Sequence, residues 1–196
     1  MIHGKAIRLR TVRETDLDHL YTLLTDIANR GDFVPLHIPA EATFKRQFHE
    51  TGFWSEDYGQ FLIVNATEEI VGSIRFFKSI PYFDGLEIGY DVFDPHHRGQ
   101  GIMTEALSLC VDYLFQRTKI HRVQLIIAEG NIASERVAQK CGFTYEGTAR
   151  QAMFARGRHH DMKLYSLLRD EVETRLHRGG LATRVDPGAD AMGRLR

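Results

Sequence analysis

Pro95-His96-His97-Arg98-Gly99-Gln100-Gly101 has residue types and spacing suited to holding a phosphate. Two glycines let the backbone turn so that successive N–H groups point one way. The segment leads into the clearest helical periodicity in the chain, and a helix N-terminus adds partial positive charge. Arg98 adds a full charge. A pyrophosphate suits such a pocket. The plain alternative is a tight loop that precedes a helix, and the loop alone leaves both readings open. A nucleotide P-loop is not supported, because no Gly-x-x-x-x-Gly-Lys-Ser/Thr is present. Gly99-x-Gly101-x-x-Thr104 lacks the third glycine of a dinucleotide fingerprint and follows a hairpin rather than opening a βαβ unit.

Other reactive side chains point nowhere comparable. His96 and His97, like His159 and His160, are adjacent pairs without metal-ligand spacing, so no metal is expected. Cys110 and Cys141 form no CxxC, which argues against a disulfide framework or zinc knuckle. Cys110 falls on an apolar helix face, and neither thiol has an activating base nearby in sequence, so no acyl-cysteine is expected.

The elements that must position the loop follow from periodicity. Ile7, Leu9 and Thr11 alternate as a strand. Asp16 is a possible cap for a helix carrying Leu17, Leu20, Leu24 and Ile27. A second helix is predicted over 42–49. Strands over 61–64 and 69–76 form a hairpin, and another covers 86–93 with Gly89 inside it, a sign of a bulge or close approach. A helix follows over 101–117, then a strand at 123–127 and a short helix over 133–141 ended by Gly142. Strands over 143–154 and 161–168, with a turn at Gly157, and a helix over 169–178 complete the order β-α-α-β-β-β-α-β-α-β-β-α. This is a mixed α/β (α+β) domain over 1–178, with 179–196 read as a flexible tail.

The chain has 196 residues, 25 Lys plus Arg against 26 Asp plus Glu, and a net charge of −1. That balance fits neither nucleic-acid binding through a broad basic surface nor electrostatic membrane attachment. Residues 1–5 show no secretory signal, and no apolar run is long enough to span a bilayer. A cytoplasmic protein is the default expectation.

Taken together, these motifs resemble the GNAT superfamily of N-acetyltransferases, particularly its ribosomal-protein N-terminal acetyltransferase (RimJ/RimL-type) branch. Arg98 through Leu107 looks like the family's acetyl-CoA loop, written Gln/Arg-x-x-Gly-x-Gly/Ala. Leu86-Glu87-Ile88-Gly89-Tyr90 resembles the strand before it. Asn131-x-x-Ser134 with Gly142-Phe143-x-x-Glu146-Gly147 resembles the second block, and Gly157-Arg158-His159-His160-Asp161 the final turn and strand. The resemblance covers about residues 6–170. It implies a GNAT fold, a mostly antiparallel twisted sheet of six to seven strands with a splayed parallel pair holding the cofactor. Acetyl-CoA is then the co-substrate, held by backbone near Val92, Phe93 and Asp94, by Arg98, Gly99, Gln100, Gly101, Ile102, Met103 and Thr104 around the pyrophosphate, and by Asn131 and Ser134. Three positions depart from the pattern. Met103 stands where Gly or Ala is usual, Ala138 where a thiolate-protonating tyrosine often stands, and Met153 where the branch has a glutamate proposed as base.

The resemblance implies direct transfer in a ternary complex to an amine acceptor. An α-amine has a pKa of roughly 7.7–8.0 against about 10.4 for lysine, so a peptide N-terminus needs only modest help from a base. Glu87 is the candidate base, directly or through water. Its plain alternative is a strand glutamate paired on the surface. The N–H near Val92 is a candidate oxyanion donor. Ser134 is the candidate proton donor to the thiolate, or else a helix-start hydroxyl. Phe33, Trp54, Tyr82 and His160 are candidate acceptor-site residues, with packing as the alternative for the aromatics. The leading expectation is acetylation of a peptide or protein N-terminal α-amine. A small amine (polyamine, amino sugar or antibiotic), a non-catalytic acyl-CoA-binding module and an unrelated α/β binding protein stay open. A homodimer is implied only by the branch.

Overall fold

A computed structural model describes residues 1–172 apart from positions 29, 35 and 36. Its strands are β1 (Ile2–His3), β2 (Ile7–Thr11), β3 (Tyr58–Asn65), β4 (Ile70–Phe77), β5 (Gly85–Val92), β6 (Arg122–Ala128), β7 (Thr144–Ala155) and β8 (Arg158–Leu168). Its helices are α1 (Leu17–Thr25), α2 (Glu41–Thr51), α3 (Ile102–Arg117) and α4 (Ile132–Lys140). The eight strands form one sheet in the order β1-β2-β3-β4-β5-β6-β8-β7. Every neighbouring pair is antiparallel except β5 and β6. The mixed architecture and the single parallel pair match the expectation. The sheet has one strand more than expected, because residues 2–3 add a short edge to β2.

Strand alternation sorts side chains onto two faces. Phe61 and Ile63, Ile74 and Phe76, Leu86 and Ile88, and Val123, Leu125 and Ile127 pack in one core with Met103, Leu107, Cys110 and Leu114 of α3. Leu62 and Val64 face the other way, onto Leu17 and Leu20 of α1 and Phe44 of α2. Each large aliphatic or aromatic side chain so buried contributes about 1.5–3 kcal/mol relative to exposure.

Several boundaries move for physical reasons. The first helix stops at Thr25, and Ile27 is exposed. Asp16 does not cap it through its side chain. Its carboxylate instead takes a two-pronged bond from Arg10 (2.6 and 2.9 Å) and the Arg13 N–H (2.8 Å), inside a 3-10 turn at residues 14–16. The last helix begins at Arg169, whose guanidinium donates to the carbonyls of Phe115 (2.7 Å), Thr118 (2.6 Å) and Ile120 (2.9 Å) and so caps the end of α3. Residues 173–178 of the predicted helix and the 179–196 segment lie outside the described residues. Near the N-terminus, the Glu105 carboxylate on α3 accepts the backbone N–H groups of Lys5 and Ala6. Among the described residues no helix is long and apolar enough to cross a membrane.

Burial opposes the charge on Asp16, but the hydrogen bonds from Arg10 and Arg13 outweigh it and hold the carboxyl below its ordinary 3.8. A depressed carboxyl stabilises the fold above its unfolded pKa and loses that contribution as pH falls through the folded value. Asp16→Asn should cost about 1–3 kcal/mol at pH 7, since it removes the charge from the two-pronged bond to the part-buried Arg10. The gap to wild type in denaturant unfolding should narrow as pH drops below 3.8.

Candidate active site

The parallel pairing of β5 and β6 covers only Gly85, Leu86 and Glu87 against Arg122, Val123 and Gln124. Beyond it, β5 stays bonded to β4 as far as Val92, and β6 stays bonded to β8 as far as Ala128. The two strands therefore splay. Phe93 donates its N–H to Val71 (3.1 Å), so by alternation the backbone groups of Tyr90 and Val92 face away from β4, into the gap. Of the residues expected to offer backbone groups here, Val92 is well placed. The Phe93 N–H is taken, and the Asp94 carboxylate caps the turn at residues 95–97 by accepting from the His96 N–H (2.7 Å).

Because β5 and β6 run parallel, their C-terminal ends open at the same edge, the usual place for a ligand in such sheets. α3 and α4 both start there. Gly99 (φ 77°) and Gly101 (φ 82°) hold left-handed conformations, and a Cβ on either would meet nothing within 4 Å. Gly101 precedes α3 without a side-chain cap, which leaves the first-turn N–H groups as donors. Met103 and Ile102 are buried, and Met103 packs in the core beneath the helix, so its bulk is turned away from the loop. Gln100 donates to the His96 carbonyl (2.7 Å) and braces the turn. Thr104 takes the Cys141 thiol on its carbonyl (3.3 Å), which ties α4 to the first turn of α3.

Asn131 caps α4 by accepting the Ser134 N–H (3.2 Å). The Ser134 hydroxyl lies 2.6 Å from the Tyr90 hydroxyl. This bond spans the gap from β5 to α4. Burial pushes the Tyr90 hydroxyl up to about 12, against the opposing effect of Ser134, so it stays protonated at neutral pH. Tyr90 was not a candidate from sequence. The signal was there in the alternation: Leu86, Ile88, Tyr90 and Val92 share the buried face, and a buried tyrosine hydroxyl needs a partner.

Glu87 lies half-buried on the opposite face of β5, with Gly89 and Asp91. Its carboxylate accepts from the Gln124 amide (3.3 Å), which also bonds Ser79 (3.2 Å). Glu87 and the Tyr90–Ser134 pair thus flank the gap from its two sides. Across β4, Arg75 pairs with Asp91 (3.1 Å). The strand is unbroken at Gly89, so no bulge forms there. A Cβ on Gly89 would meet the Arg75 guanidinium at 3.3 Å, so the close approach is that of a side chain.

The four acceptor candidates separate. Phe33 and His160 meet edge to face at 6.0 Å. His160 is buried and bonds the Ala155 carbonyl (3.2 Å), holding the β7–β8 hairpin. Tyr82 is exposed on the β4–β5 connection, against Phe83. Trp54 does not reach the Glu87 side. It packs on the α3 face against Phe61 (4.9 Å) and Phe76 (5.4 Å), where Gly59 leaves room for its ring, and the sheet separates it from Glu87.

Comparison with known proteins adds an independent line. The family described as acetyltransferase (GNAT) domain matches residues 6–144. The chain is 30% identical over 183 residues to a Bacillus subtilis protein named probable N-acetyltransferase YjcK, covering 88% of this chain and 99% of that one. It is 27% identical over 176 residues to the ribosomal-protein-serine acetyltransferase of Escherichia coli, covering 85% and 95%. In fold it is similar to a Vibrio cholerae spermidine N-acetyltransferase solved with CoA and spermine, with TM-score 0.75, 19% identity, and coverage of 86% and 98%.

The hydroxyl pair predicts a measurable coupling. Tyr90→Phe and Ser134→Ala should each destabilise by about 1–2 kcal/mol, and the double variant by less than their sum. Urea unfolding of the four proteins checks this.

Proposed function

Because the chain belongs to the GNAT acetyltransferase family and is an acetyl-CoA-dependent N-acetyltransferase, we propose that its acceptor is the α-amine of a peptide or protein N-terminus. The observation that carries this is the charge balance around Glu87. Asp91 is paired with Arg75, and Glu146 with Arg122. Among the described residues Glu87 accepts its side-chain hydrogen bond from the neutral Gln124 amide. One carboxylate then faces one ammonium, whereas a polycation gains most from several unpaired carboxylates. The ribosomal-protein-serine acetyltransferase relative supports the same class of acceptor.

The residues present fit acetyl-CoA. The open glycine loop and uncapped start of α3 suit a pyrophosphate, with Arg98 adding charge, and the splay suits an extended arm. Acetyl-CoA supplies the thioester carbon and a thiolate leaving group. The Val92 N–H faces the gap as a donor for a developing oxyanion. On one side Glu87 takes the proton of the amine, directly or through one water. On the other, the hydroxyls of Ser134 and Tyr90 offer hydrogen bonds to the departing sulfur, Tyr90 filling in space the role that Ala138 cannot. Transfer is direct, because no cysteine suits an acyl carrier. Burial pushes Cys110 up to about 12, and Cys141 is buried with its thiol on Thr104.

Thiol release from acetyl-CoA, followed with Ser-, Ala- and Met-starting peptides, their N-blocked forms, spermidine and aminoglycosides, tests the reading. Free but not blocked peptides should turn over, and Glu87→Gln should lower kcat by about 10²–10⁴-fold. Turnover of a small amine alone would overturn the peptide acceptor. CoA binding with no turnover of any amine would instead favour a binding module.

A further inference from the structure

Arg75 is placed oddly for a residue whose only task is to neutralise Asp91. Only Nη1 takes part in that pair, while Nε and Nη2 donate to no group among the described residues. The side chain is 39% exposed. Its guanidinium lies over Gly89, where a Cβ would meet Cζ, Nε and Nη2 at 3.3 Å each. Gly89 is two residues from Glu87 on the same face of β5. The guanidinium therefore stands about 7 Å along the strand from the candidate base.

Such a fork matches the paired oxygens of a carboxylate, the anionic group that an unmodified peptide side chain carries. The spacing from Glu87 also selects where that carboxylate sits. One residue of extended chain advances roughly 3.3–3.6 Å, so an acidic side chain on the second residue reaches about as far as Arg75 when the terminal amine is at Glu87. An acceptor end with one ammonium and one carboxylate leaves the local charge balance unchanged. A polyamine would instead bring a second positive charge against Arg75.

We propose that Arg75 is a specificity-determining residue that receives a carboxylate on the second residue of the acceptor peptide; this rests on the peptide reading above. Gly89 is the seat that lets the guanidinium lie there.

The test compares two free peptides that differ only in Asp or Asn at position two, with the full-length enzyme and its Arg75→Gln, Arg75→Lys and Gly89→Ala variants. Wild type should favour the Asp peptide by about tenfold to a hundredfold in kcat/KM, chiefly through KM. Arg75→Gln should bring the ratio to about one, and Arg75→Lys should retain part of it. Gly89→Ala, whose Cβ would crowd the guanidinium at 3.3 Å and displace it slightly, should lower the ratio less than Arg75→Gln does. Equal use of the two peptides by wild type, or a ratio that survives Arg75→Gln, would sink the proposal and leave the peptide reading standing. Failure of wild type on both peptides, with turnover of spermidine, would remove the peptide reading and this proposal with it.

Discussion

The site depends on a hydrogen-bond ladder that stops early. β5 and β6 pair through three residues each, and then each strand continues bonded only to its outer neighbour. β4 and β8 hold the two strands firmly, so the gap between them is a fixed part of the fold. Backbone groups facing such a gap need a partner, and an extended chain of amide groups is a suitable one. The same parallel direction brings the starts of α3 and α4 to one edge. Charge-bearing N–H groups, turn glycines and the wedge therefore converge without any residue having to be placed individually.

Alternation along β5 then divides the chemistry. Tyr90 points to the face covered by α3 and α4, where the Ser134 hydroxyl meets it. Glu87 and Asp91 point to the face covered by α1 and α2. In a continuous sheet, groups on opposite faces could not act on one bond. Here the sheet is open between β5 and β6, so a group lying in the gap is reachable from both sides. The carboxylate and the hydroxyl pair thereby lie on separate sides of the opening.

Much of this architecture was legible in the residues themselves. The helical rows of α3 and the alternation of β5 and β6 locate nearly every element that forms the wedge, and Gly99 and Gly101 announce the loop. What escaped the sequence was contact across elements. The Tyr90–Ser134 bond joins residues 44 positions apart, and no periodicity encodes it. Trp54 reads as an acceptor-site aromatic until Gly59 and Phe76 draw it to the opposite face. Asp16 has the composition of a cap, but Arg10, at the end of the preceding strand, offers it a stronger partner. Gly89 signalled a close approach, but the group approaching it comes from β4, outside its local sequence.

The Glu105 carboxylate that receives the N–H groups of Lys5 and Ala6 belongs to the first turn of α3. The chain's opening residues are thus fastened beside the glycine loop, a hundred positions away in sequence. Trimming the N-terminus to tidy an expression product, or fusing a rigid partner close to it, would release a charged side chain near the place where the phosphates are expected. For this molecule the position of an affinity tag is a choice about the edge where α3 begins.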